Sequence, residues 1–288
     1  MFEGFRLERI DTGEATIRVR HGGSGPPLLL LHGHPQTHLM WHLVAPQLAR
    51  EFTVVAMDLR GYGESSKPAT TPDHEPYSKR AMARDCVAVM ERLGFPRFAV
   101  AGHDRGGRVA YRLALDHPER VGKLAVLDIL PTGEHFRRAG MAFALGYWHW
   151  FFLAQPYPLP EKLIGADPEW FFRHRPGRRS VFAPEVEEDY LRCYRNPETI
   201  HAACEDYRAA ATYDFALDED DRAHQRKIPA PVLVLWAARG SLPAWYDVLS
   251  VWRDWADDLR GGPIQGGHFF AEEAPDETGA ALRSFFAG

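Results

Sequence analysis

Gly102-His103-Asp104-Arg105-Gly106-Gly107 follows a short apolar run at 98–101 and opens a helical pattern at 107–115. Gly-x-residue-x-Gly between a strand and a helix is the form of a nucleophile elbow, a sharp turn that lifts one side chain above the strand end. The turn is strained, so small residues must flank the reactive one. Here the lifted residue is Asp104. A carboxylate is already ionised at neutral pH and needs no base to activate it. It can attack an sp3 carbon and form an ester, which points away from peptides and toward carbon–halogen bonds or epoxides. The competing reading is an aspartate that caps the following helix. It explains the helix but not the strand and glycines that stand in register with it.

Around this turn, apolar runs alternate with helical patterns. The runs at 27–31, 52–57, 98–101 and 124–127 suit buried strands, and the stretches 81–93 and 107–115 read as helices. That alternation implies a parallel sheet covered on both faces. After Pro131 the sequence turns aromatic, basic and helical, until an apolar strand returns at 231–236 and a closing helix at 274–286. The expected architecture is an α/β-hydrolase fold, a mostly parallel sheet flanked by helices with an inserted helical cap. Residues 1–132 and 226–288 would form the core, and 133–225 the cap. A cap over the strand ends places a pocket between the two.

Composition narrows the function classes. The 288 residues are 45% apolar and 25% charged, with a net charge of -5. This balance makes no case for nucleic acid or an anionic membrane as partner. The one basic run, at 174–179, reads as a solvated surface turn. The N-terminus shows no signal peptide, and no apolar run approaches the roughly 18 to 20 residues needed to cross a bilayer. Cys86, Cys193 and Cys204 are odd in number and lack metal-ligand spacing, as expected of reduced thiols in a cytoplasm. Neither a metal nor an organic cofactor is implied.

The remaining catalytic groups follow from chain order: nucleophile, acid, histidine. His268 stands in Gly266-Gly267-His268-Phe269-Phe270, just before the last helix, where a base can approach an ester. Asp128 ends the strand at 124–127. The later strand is followed by Ala237-Ala238-Arg239-Gly240-Ser241, with no carboxylate until Asp247, which favours Asp128 as the acid. In His32-Gly33-His34-Pro35, the backbone N–H of His34 is expected to form an oxyanion hole with that of Arg105.

At this point the sequence resembles a known family. Residues 102–108, Leu127-Asp128-Ile129-Leu130-Pro131-Thr132, Tyr147-Trp148-His149-Trp150-Phe151-Phe152, Glu205-Asp206-Tyr207-Arg208-Ala209 and Gly267-His268-Phe269-Phe270 are similar to the fluoroacetate dehalogenases. The resemblance spans nearly the whole chain. It implies Asp104 as nucleophile, His268 as base and Asp128 as its orienting acid. It implies Arg105 and Arg108 as a clamp for the substrate carboxylate, and His149, Trp150 and Tyr207 as a halide pocket. Tyr213, a short helical stretch beyond Tyr207, is the rival for the last position. A homodimer is also implied. One departure is visible: the family loop usually reads His-Gly-Phe-Pro, and here His34 takes the third place.

These residues make chemical sense in themselves. Arg105 and Arg108 are three apart at a helix start, and two guanidinium groups can bind a carboxylate with paired hydrogen bonds. The competing reading is a pair of surface arginines. Imidazole, indole and phenol groups donate hydrogen bonds without a charge, as a departing fluoride requires; the competing reading is plain aromatic packing of a cap. The expected activity is hydrolytic dehalogenation of a small haloacid. An epoxide hydrolase, a haloalkane dehalogenase and a non-catalytic ligand-binding relative are the alternatives. The first would use two cap tyrosines, and neither of the first two needs arginines beside the nucleophile.

Overall fold

A computed structural model of the chain describes residues 1–173 and 181–288; the basic run at 174–179 lies outside the described residues. Eight strands form one sheet: β1 (Arg6–Asp11), β2 (Thr16–Gly23), β3 (Pro27–Leu31), β4 (Thr53–Met57), β5 (Phe98–His103), β6 (Val121–Leu127), β7 (Val232–Ala237) and β8 (Leu259–Ile264). Their order is β1-β2-β4-β3-β5-β6-β7-β8. The pairs β1–β2 and β2–β4 are antiparallel and all the others parallel. This is the mostly parallel α/β-hydrolase sheet expected from the alternation of strands and helices.

The apolar strand runs are explained by burial on both faces. Leu29, Leu31, Val55, Met57, Val100 and Val126 pack on one side of the sheet. Leu28, Leu30, Val54, Ala56, Ala101 and Leu127 pack on the other. Three strands carry no such signal. β1 is exposed at every position except Ile10. β2 alternates buried and partly buried residues and pairs antiparallel beside it. β8 contains Gly261, Gly262 and Pro263, residues that disfavour strands. Its glycine is nevertheless required: a Cβ at Gly261 would come within 2.1 Å of Val234 O on β7.

Between β6 and β7 the chain forms helices only among the described residues, from Thr132–Arg137 to Phe215–Ala223. Buried polar groups tie this insertion to the core. Asp218 accepts from Tyr111 Oη at 2.8 Å and from Arg112 Nη2 at 2.8 Å. Asp206 accepts from Tyr62 Oη at 2.6 Å and pairs with Arg105 and Lys79. Among the described residues no helix is long and apolar enough to cross a membrane.

Candidate active site

The strand ends converge on one edge of the sheet. Leu31 of β3 lies beside Gly102 of β5, and His103 beside Leu127 of β6. The next residues in line are His32, Asp104 and Asp128. Asp104 sits at φ 47°, ψ -115°, a backbone conformation that costs an L-residue energy and survives only because its surroundings dictate it. Those surroundings are glycines. A Cβ at Gly102 would lie 2.3 Å from Gly106 O, and one at Gly106 would lie 2.5 Å from His32 O. A Cβ at Gly33 would lie 2.5 Å from that of Asp104. The elbow closes only with hydrogen at all three positions.

The two oxygens of Asp104 have different environments. Oδ1 accepts the backbone N–H of His34 at 2.8 Å. Oδ2 lies 4.0 Å from His268 Nε2. The other ring nitrogen of His268, Nδ1, is 2.6 Å from Asp128 Oδ2, and Asp128 Oδ1 accepts the Ala237 N–H at 2.9 Å. Asp104, His268 and Asp128, the residues expected as nucleophile, base and acid, are therefore brought together at one strand-end edge. Burial opposes ionisation of Asp104. The neighbouring His268, then His103, and then Arg105 and Arg108, outweigh it and hold the carboxyl well below the usual carboxylate range. Arg105 opens the helix Arg105–Asp116, where backbone N–H groups lack intrahelical acceptors and can face an anion.

A cavity of about 440 Å3 lies over Asp104. His34, Asp104, Arg108, Asp128 and His268 line it from the core, and Tyr147, His149, Trp150 and Tyr207 from the insertion. Tyr207, not Tyr213, reaches it. The insertion side is held by ring contacts: His149 packs on Tyr207 with centroids 5.9 Å apart, and Trp150 on Tyr207 at 6.0 Å.

The two arginines differ, where their spacing led us to expect an equivalent pair. Arg108 lines the cavity, stacks over the Trp150 ring at 4.4 Å and donates from Nη1 to Leu130 O at 2.9 Å. Arg105 is engaged by the insertion. Its Nε donates to Asp206 Oδ2 at 2.9 Å, and its Nη2 to Asp206 Oδ1 at 2.6 Å and Asp206 O at 3.0 Å. Its Nη1 alone is buried without a partner among the described residues. The carboxylate that claims Arg105 arrives from 101 residues along the chain, so local helical spacing had no bearing on it.

Other cavity residues escaped the sequence reading. Tyr147 stands inside the aromatic run already singled out, and burial, reinforced by the carboxylates of Asp128 and Asp104, keeps its phenol protonated. Arg239 and Glu273 also line the cavity, near the His268 loop. His103 is fully buried; burial, then the charge of His268, push its imidazole down to about 4. Among the described residues no cluster of histidine, cysteine or carboxylate side chains could hold a metal ion.

Comparison with known proteins identifies the family. The family described as "alpha/beta hydrolase fold" matches residues 26–275. A fluoroacetate dehalogenase from a Burkholderia species is 48% identical, over 100% of this chain and 95% of that protein. A soluble epoxide hydrolase from Corynebacterium sp. (strain C12) is 32% identical, over 100% of this chain and 96% of that protein. A solved structure from Nostoc sp PCC 7120, described only as an α/β hydrolase, superposes with a TM-score of 0.96 at 54% identity and covers 99% of both chains. With the whole chain matched and a carboxylate at its elbow, this protein belongs to the fluoroacetate dehalogenase family of the α/β-hydrolase superfamily.

Proposed function

We propose that this hydrolase removes halide from haloacetates through an ester on Asp104. The observation that carries the reading is the division of labour at Asp104: Oδ1 is held by the His34 N–H, and Oδ2 is left facing the cavity and His268. In the first step Oδ2 attacks the halogen-bearing carbon in line, the carbon–halogen bond breaks, and halide leaves toward His149, Trp150 and Tyr207. Arg108 receives the substrate carboxylate, with Arg105 Nη1 as a second donor. The donors at the halide act where negative charge develops, so they lower the barrier rather than only binding the substrate.

In the second step His268 takes a proton from a water that attacks Cγ of the ester. The 4.0 Å gap between Nε2 and Oδ2 suits a base that works through water, and the His268 side chain is 31% exposed, so water can reach it. The oxyanion forms on Oδ1, where the His34 N–H already points. Collapse breaks the bond between Cγ and the alkyl oxygen, His268 returns its proton to that oxygen, and glycolate is freed. Asp104 loses the second water proton to solvent and returns as a carboxylate carrying one oxygen from water. A single turnover in oxygen-18 water tests this directly: the label should appear in Asp104 and not in the first glycolate released. Label in that first glycolate would overturn the ester mechanism.

One observation supports a second reading. Tyr147 and Tyr207 both line the cavity, and two phenols are the equipment for protonating an epoxide oxygen. The buried cation Arg108 in the same cavity favours an anionic substrate over a neutral epoxide. Equal turnover of neutral epoxides and haloacetates would reverse this preference.

A further inference from the structure

His268 is fastened at more than its ring. Nδ1 meets Asp128 at 2.6 Å, and the His268 carbonyl accepts from His103 Nε2 at 2.7 Å. The residues on either side are held by one side chain. Glu273 Oε2 accepts the Gly267 N–H at 2.9 Å, and Glu273 Oε1 accepts the Phe269 N–H at 3.1 Å. Charge-assisted bonds of this kind are about twice as strong as neutral ones. The approach is so close that a Cβ at Gly267 would lie 2.9 Å from Glu273 Oε1. The carboxylate is 16% exposed and lies 3.9 Å from Arg239 Nη2. The segment has left β8 and has not yet entered the helix Phe270–Glu273.

We propose that Glu273 is a positioning residue for ester hydrolysis. By gripping the N–H groups before and after His268, it sets the height of Nε2 over Asp104. The inference rests on the ester reading above. The alternative is a plain helix cap, since Phe269 immediately precedes the helix that carries Glu273. The two differ in which chemical step they touch. His268 has no part in halide displacement and is required for hydrolysis. A displaced base therefore leaves the first step intact and slows the second, whereas loss of a cap lowers stability without separating the steps.

The test compares wild type, His268→Ala, Glu273→Ala and Glu273→Gln with chloroacetate. Chloride release in the first turnover is read by rapid quench, steady-state turnover by chloride electrode, and the Asp104 ester by intact-protein mass spectrometry. For Glu273→Ala we expect a first-turnover release close to wild type, steady-state turnover down by on the order of tenfold to a hundredfold, and accumulated ester. Glu273→Gln keeps one acceptor oxygen and the shape of the side chain. It should fold like wild type and fall between the two. Accumulation of ester in His268→Ala without any in either Glu273 variant would overturn the inference and leave the ester mechanism standing. Absence of ester in His268→Ala as well would overturn both.

Discussion

The two walls of the cavity are built by different means. On the core side, Asp104, Asp128 and His268 hang from strand ends and are fixed by directed hydrogen bonds of 2.6 to 2.9 Å. On the insertion side, Trp150 and Tyr207 are buried and His149 half-buried, held by ring contacts with centroids near 6 Å. Hydrogen bonds fix angle and distance, and ring packing fixes only neighbourhood. The core wall is therefore suited to chemistry, which tolerates little misplacement. In the proposed reaction the insertion wall would choose the leaving group and substrate, where shape is adjustable. Arg105 joins the two: it stands on the core helix, yet its partner Asp206 belongs to the insertion.

The largest effect should come from the core wall. Asp104→Asn should release no halide, because the amide is not a nucleophile for carbon. His268→Ala or His268→Asn should release about one halide per enzyme and then stop with the ester in place. Normal turnover by a His268 variant, measured with a halide electrode, would remove the division between the walls altogether.

The insertion wall should show its role in a ratio. Trp150→Phe removes an indole N–H and Tyr207→Phe a phenol O–H, with bulk retained. Each should depress fluoroacetate turnover more than chloroacetate turnover, by something on the order of tenfold to a thousandfold for an aimed donor. Fluoride accepts hydrogen bonds more strongly than chloride, so its departure depends more on them. A fluoride-to-chloride rate ratio equal to that of wild type, at an unchanged Tm, would reduce these residues to packing.

The arginines separate activity from stability. Arg108→Leu should weaken carboxylate substrates by about 1.5 to 3 kcal/mol, the worth of a charge-assisted hydrogen bond, with little change in Tm. Arg105→Leu strips a partner from a fully buried Asp206 and should cost about 3 to 5 kcal/mol of folding stability, read by chemical denaturation. Similar stability losses in the two variants would mean that Arg108 is structural as well.

The smallest effect is one of sign in pH dependence. Burial pushes His103 down to about 4, below its ordinary 6.5, so the folded protein binds fewer protons there than the unfolded chain. That contribution is present above pH 6.5 and is lost as pH falls toward 4. Asp214, in the insertion, is pushed up to about 6 by burial, against the pull of Lys79. Here the folded state binds the extra proton, so its contribution is present below pH 3.8 and is lost as pH rises through 6. His103→Gln should flatten the acid-side loss of stability, and Asp214→Asn should flatten the opposing slope. Denaturation midpoints between pH 4 and 7 check both, and slopes of the same sign would contradict the assignment.

Much of the site was legible because it depends on local chain geometry. Gly102 and Gly106 announce an elbow because no Cβ fits there. A polar residue that ends an apolar strand run must stand at the sheet edge, as Asp104 and Asp128 do. The strand β8 was hidden because pairing with β7, rather than intrinsic preference, makes a strand of a Gly-Gly-Pro segment. Glu273 was hidden because a glutamate at a helix start reads first as a cap.

By itself, the sequence determined the buried parallel strands, the elbow and the carboxylate at its tip, because each follows from short-range sterics and from burial along a single run. Only the tertiary structure decided which arginine faces the cavity, which tyrosine reaches it, and what holds the loop of the base. These depend on charges and rings brought together from distant segments: Asp206 to Arg105, Tyr207 to Trp150, and Gly267 and Phe269 around one carboxylate. Spacing along a helix sets a direction, and the partner waiting in that direction is supplied by the fold.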